Sequence, residues 1–419
     1  MQVALLLLAL MVVISLLNRS ILNPTSITLG VLALSTGLAS LRLYGLFSFD
    51  PIAESIILAG GASLFVGAVI MRRFGNTVAL FPDPDAGQDH LIRYRVLTVA
   101  LVVAIVVMMV SRAGQIGILL GGGSLAEVRN SYLGYGGNDA TIALVDRLFV
   151  GPLMILALPI FLWSLLRGKI NVGFAVSFGS VVLLNQLTSG GRFIFLYAGV
   201  MVLALLARPG ATRRHNTWAK AILVVLAVGV LGFTIARGNS VLFEAYTYFA
   251  IPVPLLAHWA TTVDAMGAQT FGAGFAYGGL TLLFRASELV GHPIGSEIST
   301  LVALPQEVWV DLLPGRHFNA FVTLFYYFYL DFGWVGVVLG ALAWGLIGQW
   351  SFNRIWGFGP RSTIFGLLML QVAVLSFVRW EFTNGSLIIA LVMLPLVIKS
   401  SKRALAASET RPSSSAQES

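Results

Sequence analysis

Runs of apolar residues, each about 20 residues long and separated by short polar breaks, constrain this chain more than any other feature. A helix needs about 20 such residues to cross the hydrocarbon core of a bilayer, and no alternating strand pattern of a membrane barrel is present. Charged residues make up 11% of the 419, against about 25% in a soluble domain. The sequence therefore predicts an all-α fold, a polytopic integral membrane helix bundle.

Eleven spans are predicted, and other threadings of the sequence give from 10 to 13. The first, at 2–17, has no basic residue before it and Arg19 just after it, which indicates a retained helix rather than a cleaved signal peptide. The others are predicted at 27–47, 52–71, 96–118, 148–166, 172–188, 193–207, 217–236, 333–350, 361–378 and 385–399.

The basic residues predict the orientation of the bundle. With the N-terminus outside, 17 of the 26 lysines and arginines fall on the inner side, as the positive-inside rule requires. The net charge of +8 then reflects anchoring to the lipids of the inner leaflet, so no nucleic-acid partner is inferred. The nine basic residues on the outer side are all arginines: Arg42, Arg112, Arg129, Arg147, Arg192, Arg237, Arg285, Arg316 and Arg379.

Four regions are predicted along the chain: an N-terminal bundle at 1–236 that includes a Gly-rich outer loop at 119–147, a large outer loop at 237–332, C-terminal spans at 333–403, and a disordered tail at 404–419. The large loop holds apolar and aromatic stretches at 241–256 and 318–330, which disordered segments lack. These stretches are predicted to be interfacial or re-entrant helices over the outer mouth of the bundle. In the alternative threading, one or both are further spans.

The motifs of soluble enzymes are absent from the sequence. It has no P-loop, no GxSxG turn and no HExxH pair, and without cysteine it has no thiolate nucleophile. The five histidines lie too far apart to indicate a metal cluster. No acidic residue lies deep inside an apolar run, where ion-coupled transporters place theirs. No metal and no cofactor is predicted.

The strongest candidates for chemistry are arginines at the outer boundary. Arg192 ends the turn at 188–192, where two glycines allow backbone N–H groups to approach a ligand closely. The guanidinium is a permanently charged fork that suits phosphate. Four further candidates belong to outer segments: Arg129, Arg237, Arg285 and Arg316. For the remaining four outer arginines, snorkelling to lipid headgroups is an equally good interpretation.

Three other polar residues flank the aromatic stretch at 318–330. His317 is a candidate general base, although a lone loop histidine is more often solvated or hydrogen-bonded. Asn319 is a candidate substrate-binding residue. Asp331 is a candidate catalytic carboxylate, with the N-cap of the following span as the structural alternative. The aromatic run 325–329 fits stacking on sugar rings and an interfacial belt equally well.

The chain resembles the bacterial O-antigen or oligosaccharide repeat-unit polymerases of the Wzy type. The matching features are the large outer loop in the second half, SGGRFIFL at 189–196 and HFNAFVTLFYYFYLDFGWVGVVLG at 317–340. The resemblance implies a C-class architecture and a metal-independent, inverting glycosyltransferase. It also implies the bacterial inner membrane, with the N-terminus in the periplasm and the C-terminus in the cytoplasm.

The resemblance further implies a reaction at the periplasmic face. A growing glycan would pass from undecaprenyl diphosphate to a sugar hydroxyl of a new lipid-linked repeat unit, and a chain-length regulator protein would be a further partner. Arg192 and Arg237 would bind the diphosphate, while Arg129, Arg285 and Arg316 would bind diphosphate or glycan. His317 would be the first candidate for the base, and a loop carboxylate would be the second.

Three other functions remain open at this point. An O-antigen ligase shares the fold and the donor, but its pattern favours an adjacent His-Asn pair, and here Phe318 separates His317 from Asn319. A metal-dependent transferase would require two acids in the first outer loop, where Asp50 stands alone with Glu54 a turn away. A lipid-linked oligosaccharide flippase or other transporter generally lacks an outer loop as large as the predicted one.

Overall fold

A computed structural model describes residues 1–74, 91–132, 144–189, 193–206, 240–289, 294–319, 321–355 and 359–399, together with 217, 220, 223 and 224. The described helices are α1 (Gln2–Asn18), α2 (Pro24–Leu41), α3 (Ile52–Phe74), α4 (Tyr94–Ser111), α5 (Ala113–Leu120), α6 (Leu125–Tyr132), α7 (Gly151–Leu166), α8 (Val172–Ser189), α9 (Phe193–Leu206), α10 (Val241–Ala250), α11 (Pro252–Met266), α12 (Tyr277–Leu289), α13 (Ser296–Glu307), α14 (Thr323–Ile355), α15 (Pro360–Leu375) and α16 (Gly385–Val397). Two short strands, β1 (Val310–Leu313) and β2 (Arg316–Phe318), form an antiparallel hairpin.

The chain is an all-α bundle with many helices apolar enough for a membrane. Seven described segments have the length and composition of a span: Pro24–Leu41, Ile52–Phe74, Tyr94–Ser111, Leu148–Leu166, Val172–Ser189, Val241–Met266 and Thr323–Arg354. Four shorter helices are also apolar: Gln2–Asn18, Ile194–Leu206, Pro360–Leu375 and Gly385–Val397. Together they support a multi-pass membrane protein, as the apolar runs predict.

Ten of the eleven predicted spans coincide with these helices. The remaining predicted span, at 217–236, lies outside the described residues except for 217, 220, 223 and 224. The predicted tail at 404–419 lies entirely outside them. Within the predicted outer loop, Val241–Met266 has the length and composition of a span. It consists of α10 and α11, which meet at Ile251 and Pro252. In the alternative threading of the sequence, this segment is a further membrane span.

A polar cluster joins the ends of three helices at one face of the bundle. The Asn23 side chain caps α2 by accepting a hydrogen bond from the Thr25 N–H at 2.8 Å. The side-chain amide of Gln349 in α14 accepts from the Asn18 and Asn23 amides at 3.0 and 2.8 Å. This face carries the end of α1 and the start of α2. The opposite face, where α1 begins and α2 ends at Leu41, is the one that the sequence predicts to be outer, and it is called the outer face below on that prediction.

Glycines let α3 and α14 cross with their backbones in contact. A Cβ added at Gly67 would lie 2.3 Å from the Leu342 carbonyl oxygen, and one added at Gly345 would lie 2.1 Å from the Leu64 carbonyl oxygen. Small residues at a crossing allow such approach, and in lipid this packing replaces the hydrophobic drive between helices. The crossing therefore tolerates no side chain at either position.

Gly345→Ala is expected to destabilise the protein by about 3 kcal/mol, because the added methyl meets backbone that no rotamer change can relieve. Thermal unfolding of the purified protein measures the effect. Gly199→Ala is the matched control, since a Cβ there meets no atom within 4 Å and alanine favours the helix. Equal stability of the two variants would contradict the close crossing.

The helix α14 contains a reversal that folds its first part back on its second. Phe332 and Gly333 have non-helical backbone angles, and Gly333 has a φ of 56°, which glycine adopts readily. A Cβ added at Gly336 would lie 2.0 Å from the Phe328 carbonyl oxygen. Residues eight apart in one straight helix would be about 12 Å apart. Residues 323–331 therefore form a helix that lies against the following span.

This first part of α14 is buried and bonds to the break between α15 and α16. The Val322 N–H donates to the Val378 carbonyl at 2.9 Å, and the Leu324 N–H donates to the Ser376 carbonyl at 2.7 Å. All side chains of the aromatic run 325–329 are buried. The run therefore neither forms an interfacial belt nor offers its rings to a sugar, because the reversal at Gly333 turns it into the protein core.

Candidate functional site

The β1–β2 hairpin brings together three of the predicted site residues. His317 pairs with Asp311 across the two strands, and its Nδ1 contacts the Asp311 carboxylate. Both side chains are exposed. A carboxylate at Nδ1 favours the tautomer that leaves Nε2 as a proton acceptor. The pair thus has the arrangement of an oriented general base, although it lies at the surface.

Arg316 and Asn319 flank this pair. The Arg316 guanidinium carbon lies 4.2 Å from the ring centroid of Phe243, and the Asn319 amide donates to the Gln306 carbonyl at 2.7 Å. The hairpin rests on the segment after α2, where the Phe47 N–H donates to the Leu312 carbonyl at 3.0 Å. The hairpin is therefore attached to the outer face.

Asp331 serves as an anchor between segments. Its carboxylate accepts from the Thr270 hydroxyl at 2.6 Å and from the N–H groups of Gly274 and Phe275 at 2.7 and 2.8 Å. The residue is 3% exposed. These contacts replace the predicted N-cap of the following span, because the reversal at Gly333 turns the carboxylate toward 270–275. No described contact joins Asp331 to His317, and a catalytic role for it remains a prediction.

The other four predicted site residues have no described side chains. Arg192 and Arg237 lie outside the described residues. The backbones of Arg129 and Arg285 belong to α6 and α12, respectively. The predictions for these four arginines therefore rest on the sequence.

A cavity of about 260 Å³ lies among α6, α7, α8, α9, α15 and α16, and none of the predicted site residues is among its described lining residues. The start of α7 and Ile194 supply an apolar wall, while α8, α15 and the start of α16 supply polar side chains. The cavity is lined by Tyr132, Val150, Gly151, Met154, Ile155, Leu158, Asn185, Gln186, Ile194, Tyr197, Gln371, Asn384 and Ser386.

Two glutamines of the cavity wall carry unsatisfied acceptors. Gln186 is 4% exposed and Gln371 is 2% exposed. The Oε1 atom of each is buried without a hydrogen-bond partner among the described residues. An unpaired buried polar group costs about 1–3 kcal/mol. A bound molecule with O–H donors would satisfy both acceptors.

A buried arginine lies behind one side of the cavity. Arg112, directly after α4, is 1% exposed, and its guanidinium donates to Asn185 Oδ1 at 2.9 Å and to Thr188 Oγ1 at 2.5 Å. Its guanidinium carbon also lies 5.3 Å from the ring centroid of Tyr132. Because Asn185 and Tyr132 both line the cavity, the positive charge is next to it.

An ion pair lies on another side, between α15 and α16. Arg379 Nε donates to Glu381 Oε2 at 2.8 Å and the guanidinium makes a second bond to Oε1 at 3.2 Å. Glu381 also accepts from the amide of Asn384 at 2.9 Å, and Asn384 lines the cavity. Glu381 is 1% exposed, whereas Arg379 is about one-third exposed. Tyr197 of the cavity wall lies within electrostatic reach of both charges.

The structure corrects the snorkelling interpretation for two of the arginines that the sequence places outside. Arg112 and Arg379 do not snorkel to lipid headgroups, because both are held by partners inside the protein. Glu381 is a buried acid, although along the sequence it lies in a short connector between two apolar runs. The sequence feature that points to this site is the presence of two amide side chains, Gln186 and Gln371, within apolar runs. Polar side chains inside a membrane span are costly, so their presence indicates a functional position.

Comparison with known proteins adds no relative. No family model matches this chain, and neither a curated protein nor a solved structure matches it. The functional conclusion therefore depends on the chemistry of the site and on the sequence resemblance.

Proposed function

We propose that this protein polymerises undecaprenyl-diphosphate-linked oligosaccharide repeat units into a surface polysaccharide at the periplasmic face of the bacterial inner membrane. The observation that carries the proposal is the cavity with unsatisfied glutamine acceptors beside the buried charge of Arg112. Its lining combines apolar and polar walls, as a substrate that joins a lipid to a glycan requires.

The reaction requires a base for the hydroxyl proton and a positive charge for the leaving diphosphate. The acceptor hydroxyl oxygen attacks the anomeric carbon of the donor sugar, and the bond from that carbon to the diphosphate oxygen breaks with inversion. The diphosphate leaves with the electron pair, and the hydroxyl proton passes to a base. Positive charge in a water-poor site stabilises the leaving group, and Arg112 is the described residue that supplies it. Arg192 is the further candidate from the sequence.

Electrophoresis of the surface glycan from a strain that lacks this gene tests the proposal. Loss of the long chains with a single repeat unit retained on the lipid core is expected of a polymerase. Loss of every repeat unit would instead indicate a ligase or a flippase and would overturn the proposal. Restoration of the long chains by the wild-type gene is the control for effects on neighbouring genes.

Arg192→Ala is expected to abolish polymer formation while protein level and membrane insertion stay normal, because the diphosphate loses a bidentate partner. Arg192→Lys is also expected to impair activity, since a point charge cannot reproduce the planar fork. Glycan electrophoresis beside an immunoblot of membranes measures both properties. Normal long-chain glycan from Arg192→Ala would refute the diphosphate role.

His317→Ala is expected to lower kcat by about 10²- to 10⁴-fold, the usual contribution of a general base. Asp311→Asn is expected to have a smaller effect in the same direction, because it removes only the group that orients the ring. Steady-state rates of glycan elongation measure both. A change in KM with kcat preserved would show that the hairpin binds glycan and supplies no base.

A further inference from the structure

We propose that the cavity behind Arg112 binds a single uncharged sugar ring of the lipid-linked glycan, with the side-chain carbonyls of Gln186 and Gln371 accepting hydrogen bonds from its hydroxyls. The inference rests on the proposed function and deepens it, since it separates a sugar subsite from the diphosphate site.

The two unsatisfied atoms select the chemistry of the occupant. Both are carbonyl oxygens, which accept and cannot donate. A phosphate oxygen is also an acceptor, so it can pair with the NH2 groups of the glutamines but leaves both Oε1 atoms unpaired. A lipid chain has no polar hydrogen to offer. A sugar ring presents several O–H donors around its rim and meets this requirement.

The opposite wall fits the remainder of a sugar ring. Val150 lies directly before α7, Met154, Ile155 and Leu158 lie in the first half of α7, and Ile194 lies in α9. A pyranose has faces made of C–H groups and a rim of hydroxyls, so one face can pack on this wall while the rim reaches the glutamines. Ligand pockets for drug-sized molecules begin at about 300 Å³. A cavity of about 260 Å³ therefore matches one ring better than an oligosaccharide.

The charges around the cavity assign the diphosphate to a neighbouring position. Arg112 contacts the wall from behind Asn185, and Arg379 is neutralised by Glu381, whose carboxylate also binds Asn384. The cavity surface itself presents two acceptors, while the positive charge of Arg112 lies behind Asn185. The ring therefore lies inside the cavity, and its diphosphate substituent extends toward the side where Arg112 lies.

Saturation-transfer NMR on the purified full-length protein in lipid nanodiscs tests this subsite. The probes are octyl β-D-glucopyranoside, octyl β-D-galactopyranoside and octyl N-acetyl-β-D-glucosaminide, and octyl tetraethylene glycol is the probe without a ring. Transfer to the ring protons of at least one glycoside is expected in the wild type. It is expected to fall at least fivefold in Gln186→Met and in Gln371→Met, and to persist in Gln306→Met, an exposed glutamine outside the cavity.

Three outcomes would overturn the inference: no ring transfer in the wild type for any glycoside, equal ring transfer in the glutamine variants, or transfer confined to the octyl chain and equal for octyl tetraethylene glycol.

Stability distinguishes a ligand role from a structural one. Methionine replaces an unsatisfied buried acceptor with an apolar group of similar shape, so the Tm of both variants is expected to be unchanged or higher. A lower Tm in both would mean that the glutamines support the fold.

Binding and polymerisation can fail separately. If the gene deletion removes all repeat units while ring binding depends on the two glutamines, the polymerase proposal fails and the sugar subsite stands. If the deletion leaves a single repeat unit but Gln186→Met makes normal long chains, the polymerase proposal stands and the sugar subsite fails.

Discussion

Arg112→Met is expected to lower the rate of glycan polymerisation at least about 100-fold, the loss that follows removal of one preorganised electrostatic group from an active site. The guanidinium is buried beside the cavity and fixed by Asn185 and Thr188, so its charge acts where little water screens it. Methionine keeps an unbranched apolar stem and removes the charge. Elongation rates in membranes with matched protein levels measure the effect.

Arg42→Met is the matched control for this variant. Arg42 follows α2 on the outer face, and its side chain is exposed, so its loss is expected to leave the rate within about twofold. Arg112→Lys distinguishes charge from geometry, because lysine retains the charge but lacks the planar guanidinium, which donates to Asn185 and Thr188 through one nitrogen and lies against Tyr132. Wild-type elongation by Arg112→Met would remove Arg112 from the mechanism.

Glu381→Gln is expected to destabilise the protein by about 3 kcal/mol, because it leaves the guanidinium of Arg379 without its counter-charge in the interior. The value is at the lower end of the range for buried pairs, since Arg379 is about one-third exposed while Glu381 is 1% exposed. Thermal unfolding of the purified variant measures the loss. Glu297→Gln, at an exposed position in α13, is expected to change stability by less than about 0.5 kcal/mol.

The double variant Arg379→Met/Glu381→Gln tests the cause of this loss. Removal of both charges leaves no unpaired ion, so the double variant is expected to be more stable than Glu381→Gln alone. If the two single losses instead add in the double variant, the pair contributes through packing and not through charge.

The spans could be predicted from the sequence because each depends on its own composition. Helices such as α7 and α8 begin and end close to the predicted positions, since about 20 apolar residues in lipid have little alternative to a helix. The reversal in α14 could not be predicted in the same way. It depends on the close approach of the Phe328 backbone to Gly336, which has no side chain in the way. The apolar pattern does not encode this contact.

The candidate site was harder to predict because its residues come together from distant segments. Arg112 and Asn185 are 73 positions apart, and neither has a motif around it. Asp331 illustrates the same difficulty, since its partners at 270–275 are about 60 positions away and hold it by backbone N–H groups that any residue supplies. The sequence did identify the outer arginines as a group, but not which of them are buried.

Elongation by the purified protein tests the central claim most directly. The protein is reconstituted in liposomes with undecaprenyl-diphosphate-linked repeat units and EDTA, and the products are separated by size. The account predicts a ladder of lengthened glycans, with one undecaprenyl diphosphate released for each unit added, and no ladder from Arg112→Met. Repeat units that stay single in the wild type, or elongation that EDTA abolishes, would contradict it.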